Sequence, residues 1–472
     1  MGYIRFDVDK IKDFVFESYK PVEVTGASEM IKTLDDGGKI LKELKKYFKN
    51  SEVEVVYARG GGGLMRVSQK EKDICNWLQK EYGKTVKGGK LTAVHCEDQD
   101  IFPVTYALLN YKLREQKNQK ALLNPPEKAV EFAKEDSKRR CSACGKRVAD
   151  KGKKDFYNEE HYYCSVCEKK RNNGIDSFDG KEEYERVNSL EDLLTENPNV
   201  KDSTHVLMIY GDLNSAGDLF ASMEDEDHLK NLSDRIFKTL EDARKNMAKK
   251  LWHKKFKSLM PVAGGDDLII FIHPAAFELI KDDLFNLENK LEEATGKELK
   301  MNVAFLVAKH NFPIYNLFNI SEELLKLTKK AYYKETNPGN RKTHYGFYWL
   351  EEGNFRPSKT DVYQKEEFET LCKFSREIHG NKDISTSSLH QLLDLLSVSN
   401  NEKEKNHIGL EEQFNICYHL SRTKALAEKL FLDGSGFRIK EEKDLQVTRD
   451  LWKDVIDMKE LFIDHTGKEV VE

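Results

Sequence analysis

The order strand, helix, strand, strand, helix, strand occurs twice along this chain, and such a repeat constrains the fold more than any single motif does. The first copy opens on an apolar stretch, residues 3–9, that ends in Asp7 and Asp9. A helix is expected over 26–48, and strands over 53–57 and 64–67 flank Gly60-Gly61-Gly62-Gly63. A helix near 71–82 and a strand at 91–95 complete it. The second copy opens with an apolar run at 205–210 leading into Gly211-Asp212-Leu213-Asn214. A helix over 229–251 follows, then apolar runs at 258–262 and 268–272 around Ala263-Gly264-Gly265-Asp266-Asp267. A helix at 277–293 and a strand at 299–308 close the copy. Asp7-Val8-Asp9 aligns with Asp212-Leu213-Asn214, and Asp13 with Asp218. Gly60-Gly61 then falls on Gly264-Gly265 with one residue of slip, and Gly62-Gly63 stands where the second copy has Asp266-Asp267. Both copies fit a ferredoxin-like unit.

In that unit strands one and three are central, adjacent and antiparallel. The end of strand one therefore meets the start of strand three, which brings Asp212 to Asp266 and Asp267. The apolar runs around the Gly pair predict a hairpin with a tight turn. Like charges at its tip repel, and a divalent cation is the usual remedy. Three carboxylates favour hard cations, magnesium or manganese, as one ion or two. Such ions bind a triphosphate, activate a hydroxyl and stabilise a leaving pyrophosphate. Gly264 and Gly265 let the backbone turn and a nucleotide approach. The plainer reading is a surface hairpin with solvated acids. The Gly62-Gly63 turn of the first copy lacks the acids, so only the second copy is expected to be catalytic.

Four of the eight cysteines form two CxxC pairs, Cys141/Cys144 and Cys164/Cys167, with nineteen residues between them. That spacing predicts a closed tetrahedral zinc site of structural kind, a staple for a polar insertion. A disulfide or a redox CxxC is the alternative. At 472 residues the chain exceeds one typical core. Its net charge of −5 argues against a basic nucleic-acid coat protein, though not against local basic patches. No apolar run reaches the ~18 residues of a membrane span, and no signal peptide is evident, so a cytoplasmic protein is expected.

Basic residues offer weaker signals. Arg244, Lys245, Lys249, Lys250, Lys254, Lys255 and Lys257 precede the acidic hairpin, and Lys138-Arg139-Arg140 and Lys169-Lys170-Arg171 flank the cysteines. A solvated surface explains them, and so does a rim that attracts triphosphates or RNA. Asn214 and Ser215, just past Asp212, and Lys329 and Lys330, on the helix after strand four, are candidate nucleotide contacts. Tyr332-Tyr333 reads as packing. The expected fold class is α+β: a first palm-like domain over 1–125, a zinc-binding insertion and linker over 126–203, a second palm over 204–350, and a C-terminal helical domain over 351–472. Helices in the last region are expected at 366–378, 389–396, 411–431 and 448–462.

These motifs resemble a known family. Ile4-Arg5-Phe6-Asp7-Val8-Asp9-Lys10-Ile11-Lys12-Asp13-Phe14, followed by Thr25-Gly26-Ala27-Ser28, resembles the opening of the large polymerase-like subunit of type III CRISPR effector complexes. Tyr210-Gly211-Asp212-Leu213-Asn214-Ser215-Ala216-Gly217-Asp218 is similar to the metal-binding strand end of its second palm, Gly264-Gly265-Asp266-Asp267 to its signature, and Lys309-His310-Asn311-Phe312-Pro313 to the segment after its last palm strand. The resemblance covers roughly residues 1–350. It implies two palms of which the first is inactive, a four-cysteine zinc insertion, and synthesis of cyclic oligoadenylates from ATP. It also implies Mg2+ or Mn2+ on Asp212, Asp266 and Asp267, and guide and target RNA, with small and backbone subunits, as partners. The family's N-terminal phosphohydrolase domain is expected to be missing. The alternatives are a non-catalytic RNA-binding scaffold of an RNA-guided complex, and a stand-alone or homo-oligomeric cyclic-nucleotide synthase of another defence system.

Overall fold

The computed structural model describes residues 1–49, 51–123, 140–149, 151–154, 160–177, 187–194, 204–261, 265–350, 357, 361–381, 384–398, 430–433, 436–439, 442–446, 449–458 and 461. Strands β1 (Gly2–Val8), β2 (Glu54–Arg59), β3 (Gly62–Val67) and β4 (Leu91–Glu97) form an antiparallel sheet in the order β2-β3-β1-β4. This is the ferredoxin-like order, with strands one and three central. Helices α1 (Ile11–Phe16), α2 (Pro21–Ile31), α3 (Lys39–Tyr47), α4 (Glu71–Thr85) and α5 (Phe102–Leu123) accompany it. The single helix expected over 26–48 is thus two, α2 and α3, parted by a break around Gly37, whose φ is 77°. A glycine takes this left-handed turn between the helices without steric cost.

The cysteine insertion contributes a hairpin, β5 (Lys151–Lys154) and β6 (Glu160–Tyr163), and helix α6 (Ser165–Asp176). It does not stand apart. Helix α6 crosses α2 at two glycines, where a Cβ on Gly26 would lie 1.7 Å from the Lys170 carbonyl oxygen and one on Gly174 2.0 Å from that of Val22. Only glycine permits backbones to approach so closely.

Strands β7 (His205–Leu213), β8 (Ser258–Leu259), β9 (Asp267–Ile272) and β10 (Met301–Lys309) repeat the order of the first sheet. Two further strands, β11 (His344–Trp349) and β12 (Val362–Gln364), extend it beyond β10, giving β12-β11-β10-β7-β9-β8. The alternation along β7 sends Val206, Met208 and Tyr210 into a core shared with the first palm. Leu207 and Ile209 enter a second core on the other face. Burial on both faces accounts for the unbroken apolar run. Helices α7 (Ala216–Ala221), α8 (Glu226–His253), α9 (Phe277–Phe285), α10 (Leu287–Thr295) and α11 (Ile314–Lys334) complete this half. The Asp225 side chain caps α8 by accepting from the His228 backbone N–H at 2.8 Å.

The C-terminal region supplies α12 (Lys365–Gly380), α13 (Thr386–Val398) and α14 (Arg449–Asp457). The helix expected over 411–431 lies mostly outside the described residues, and its last two residues belong to a strand instead. Strands β13 (Leu430–Asp433), β14 (Gly436–Ile439) and β15 (Glu442–Gln446) form a small antiparallel sheet that the sequence reading does not anticipate. No described helix is long and apolar enough to cross a membrane.

Candidate functional site

The central strand pair of the second palm sets the site. In the β7–β9 register Asp212 pairs with Asp267, and Asp266 is the residue before it. In the β1–β3 register Asp7 pairs with Gly62. The structural equivalent of Asp266-Asp267 is therefore Gly61-Gly62, not Gly62-Gly63, and the one-residue slip disappears. A run of four glycines hides such a shift, because each glycine matches as well as the next. The connection from β8 to β9 spans residues 260–266, of which 262–264, Gly264 among them, lie outside the described residues, so the expected turn falls outside them as well. Among the described residues a Cβ on Gly265 would meet only the Arg59 carbonyl oxygen, at 3.9 Å.

Two of the three carboxylates, Asp212 and Asp267, face an ammonium. Lys329 Nζ of α11 lies 2.5 Å from Asp212 Oδ2, and Lys12 Nζ of α1 lies 3.1 Å from Asp267 Oδ1. The Tyr210 hydroxyl also donates to Asp267 Oδ1, at 3.1 Å, and Lys12 donates to the Tyr210 oxygen. Burial lifts the Asp267 carboxyl to about 7 against the pull of Lys12, and Asp266 and Asp212 add to the lift. Asp266 is likewise raised, by burial and then by the charge of Asp212. Burial works against the Lys12 ammonium, but Asp267 and Asp212 outweigh it and raise its pKa. Two carboxyls raised first by burial and then by neighbouring acids form a site whose charged form a further cation would favour.

Other predicted contacts divide. Asn214 is buried, and neither its amide oxygen nor its amide nitrogen finds a partner among the described residues. Ser215 has a left-handed backbone, φ 58°, and its hydroxyl meets the Tyr333 hydroxyl at 3.2 Å. Lys329 reaches the site, whereas its neighbour Lys330 points to the exposed face of α11. Asp13 and Asp218 both lie exposed. On α8, Lys245 pairs with Glu241 and Lys250 with Asp283, as on a solvated helix, while Arg244 lines a hollow with Gly265 and Asp267. The basic rim after the cysteines is corrected more sharply. Lys170 and Arg171 are buried and paired with Glu17 and Glu23, so they brace the insertion instead of facing solvent.

Lys12 and Tyr210 were not singled out as site residues from the sequence. Lys12 stands 255 residues from Asp267 along the chain, and no local pattern links them. The one usable signal was the repeat, which places the turn after β1 beside its sister palm.

The four cysteines do converge. All are buried, and their Sγ atoms lie within 4.8 Å of one another. Tetrahedral zinc with Zn–S bonds of about 2.3 Å needs such a group, so the cluster could hold a metal ion such as zinc. The Cys167 backbone N–H donates to Cys164 Sγ at 3.5 Å, and Arg147 approaches Cys144 Sγ at 3.9 Å. The carboxylates of the second palm do not form so close a group among the described residues. Their donor chemistry nonetheless suits a hard divalent cation.

The paired sheets, the shared central strands and the cysteine insertion define a class: a two-palm protein of α+β architecture. Its fold is that of Csm1. The crystal structure of Csm1 in T. onnurineus matches with a TM-score of 0.62 and 15% identity, covering 98% of this chain and 69% of that one. The Csm1–Csm4 subcomplex of the type III-A CRISPR-Csm interference complex matches at 0.60 and 15%, covering 98% and 70%. A Csm1–Csm4 cassette in complex with cA4 matches at 0.58 and 13%, covering 98% and 69%. Similar cassettes were solved in complex with cA3 and with one ATP. No protein-family model matches the sequence, and no curated protein does.

Proposed function

We propose that this chain is the large palm subunit of a type III CRISPR effector complex and converts ATP to cyclic oligoadenylates at its second palm. The observation that carries the reading is the placement of Asp212 opposite Asp267, with Asp266 adjacent, where the sister palm has glycine. Support also comes from the fold, shared with Csm1 structures that hold ATP, cA3 and cA4.

Asp212, Asp266 and Asp267 would hold Mg2+ or Mn2+, and the orphaned Asn214 amide beside them is free to take a ligand contact. The bound cation supplies charge neutralisation at the α-phosphate and at the departing pyrophosphate. Lys329 and Lys12 place two ammonium groups where a triphosphate needs counter-charge. Tyr210 fixes one oxygen of Asp267, leaving the other to face the ligand. The reaction is attack of one nucleotide's ribose hydroxyl on the α-phosphate of another, with pyrophosphate leaving. The cysteine cluster, with no open ligand position, is the structural zinc site. Target RNA is the expected activator, with a Csm4-like subunit as a partner in the complex.

The test is product formation from ATP and Mn2+ by the assembled complex with matching target RNA, read by mass spectrometry. Cyclic oligoadenylate is expected from the wild type and none from Asp266→Ala with Asp267→Ala. No product from the wild type would overturn the reading and leave the scaffold role, and equal product from both would overturn the assignment of the chemistry to these carboxylates.

A further inference from the structure

Helix α1 belongs to the first palm, yet each end touches something else. At its start, Lys12 enters the second-palm site and pairs with Asp267 at 3.1 Å. At its end, Glu17 is gripped by the cysteine insertion. Lys170 Nζ lies 2.6 Å from Glu17 Oε1, and Arg147 is bidentate to the same carboxylate at 3.1 and 2.9 Å. Lys170, wholly buried, also donates to the Phe14 carbonyl at the end of the helix. Ser18, the next residue, lies 3.7 Å from Cys167 Sγ. Between the two ends, Phe16 stacks on Phe318 of α11 at 4.2 Å between centroids and 7° between planes. Phe318 in turn lies 5.6 Å from Tyr210, which donates to Asp267.

A six-residue helix has almost no stability of its own, since a first turn is costly to nucleate. Its position is therefore set by what holds its ends. We infer that the cysteine insertion positions Lys12 against Asp267 through the Glu17 clamp, so that Lys12 is a positioning residue for the second-palm carboxylates and the insertion sets how tightly they bind a divalent cation. The inference rests on the metal-site reading of Asp212 and Asp267. Lys12 occupies Asp267 with a positive charge that a divalent cation must displace. Loosening α1 lets that ammonium leave, and cation affinity rises.

The sign separates this from simpler effects. Glu17→Gln removes a negative charge, and through the field alone it would weaken cation binding. Misfolding would weaken it too. Positioning predicts the opposite.

The experiment is Mn2+ binding to the full chain, without nucleotide, followed by electron paramagnetic resonance. Lys12→Met is expected to tighten binding about tenfold, the loss of one opposing charge at ion-pair distance. Glu17→Gln should tighten it about threefold, as a partial release. In the Lys12→Met background Glu17→Gln should add nothing, because an effect carried by Lys12 vanishes with Lys12. Zinc content and melting temperature report whether the insertion stays folded. Should Glu17→Gln fail to fold, Arg147→Met loosens the same clamp while leaving Lys170 on Glu17; because it removes a positive charge, its tightening supports positioning only if it vanishes in the Lys12→Met background. Absence of Mn2+ binding in the wild type, or binding insensitive to Asp212→Asn, would overturn the metal-site reading and this inference with it. Wild-type binding that Glu17→Gln weakens or leaves unchanged, or an effect that persists without Lys12, would overturn the inference alone.

Discussion

The two palms share a strand order and an ion pair, and they differ at one hairpin. In each, the aspartate near the end of strand one meets a lysine from the helix after strand four: Asp7 with Lys117, Asp212 with Lys329. In each, that aspartate faces the start of strand three. In the first palm the hairpin is a two-residue turn, with Gly60 at φ 57° and Gly61 at φ 86°. Two successive positive φ values are those of a type I′ turn, the most compact link between antiparallel strands. In the second palm two carboxylates, Asp266 and Asp267, stand at the start of strand three instead of glycines. The Asp–Lys pair therefore belongs to the shared scaffold, and a lysine beside an aspartate is no sign of catalysis by itself. The chemistry must lie in what the second hairpin adds.

The largest expected effect tests that contrast directly. Asp267→Asn should cut ATP turnover by about a thousandfold, or about 4 kcal/mol of transition-state stabilisation. Asp7→Asn, its partner's counterpart in the sister palm, should cost less than about tenfold, measured as oligoadenylate formed under the same conditions. Equal losses would mean that both palms contribute reacting groups.

Next in size is the loss of the metal from the cysteine cluster, whose helix α6 docks on α2 of the first palm. One zinc per chain is expected by elemental analysis. Its removal by a strong chelator should lower the melting temperature by about 5 °C or more, because a closed four-thiolate site contributes folding energy. The four-cysteine-to-serine variant should melt at the chelated temperature whether or not chelator is present. If it melts with the zinc-bound wild type, the cluster is not a staple.

The helix crossing that docks this insertion gives a matched pair of substitutions. A methyl group on Gly26 would fall 1.7 Å from a backbone oxygen, whereas one on Gly217 in the second palm would meet nothing within 4 Å. Gly26→Ala should therefore destabilise by about 3 kcal/mol in denaturant titration, as overpacking against backbone does. Gly217→Ala, within helix α7, should stabilise by up to about 1 kcal/mol. A neutral Gly26→Ala would mean that α2 and α6 do not hold this close crossing.

How much of this was legible in the sequence follows from the range of the interactions. The strand order of both palms and the cysteine cluster were readable because periodicity and CxxC spacing are local. The facing of Asp212 and Asp267 followed from topology alone. What stayed hidden depends on partners far along the chain. Lys170 and Arg171 look like solvent-facing basic residues until Glu17 and Glu23 are seen beside them. Lys12 looks like a helix-surface charge until the second palm packs on α1. The glycine register was ambiguous for another reason: four identical residues carry no alignment signal, and only the ladder of β1 and β3 fixes which of them faces Asp7.

The last expected effect, comparable in size to that at the Gly26 crossing, concerns a buried carboxylate of the first palm. Glu23 on α2 is fully enclosed by the docked insertion, and its Oε1 receives Arg171 at 3.4 Å while Oε2 has no partner among the described residues. Burial raises its pKa to about 7, and Arg171 only partly opposes it. The folded chain therefore holds a proton that the unfolded chain releases near the ordinary value of 4.5. Between those two values the native state binds more protons than the unfolded one, so stability falls as pH rises through the window, by about 3 kcal/mol in total. Below about 4.5 and above about 7 this group contributes no slope. Glu23→Gln, which cannot ionise, should flatten the decline between about pH 4.5 and about pH 7 in denaturant midpoints. A decline as steep in Glu23→Gln as in the wild type would show that Arg171 keeps the carboxylate charged, and that ion pairing outweighs burial at this contact.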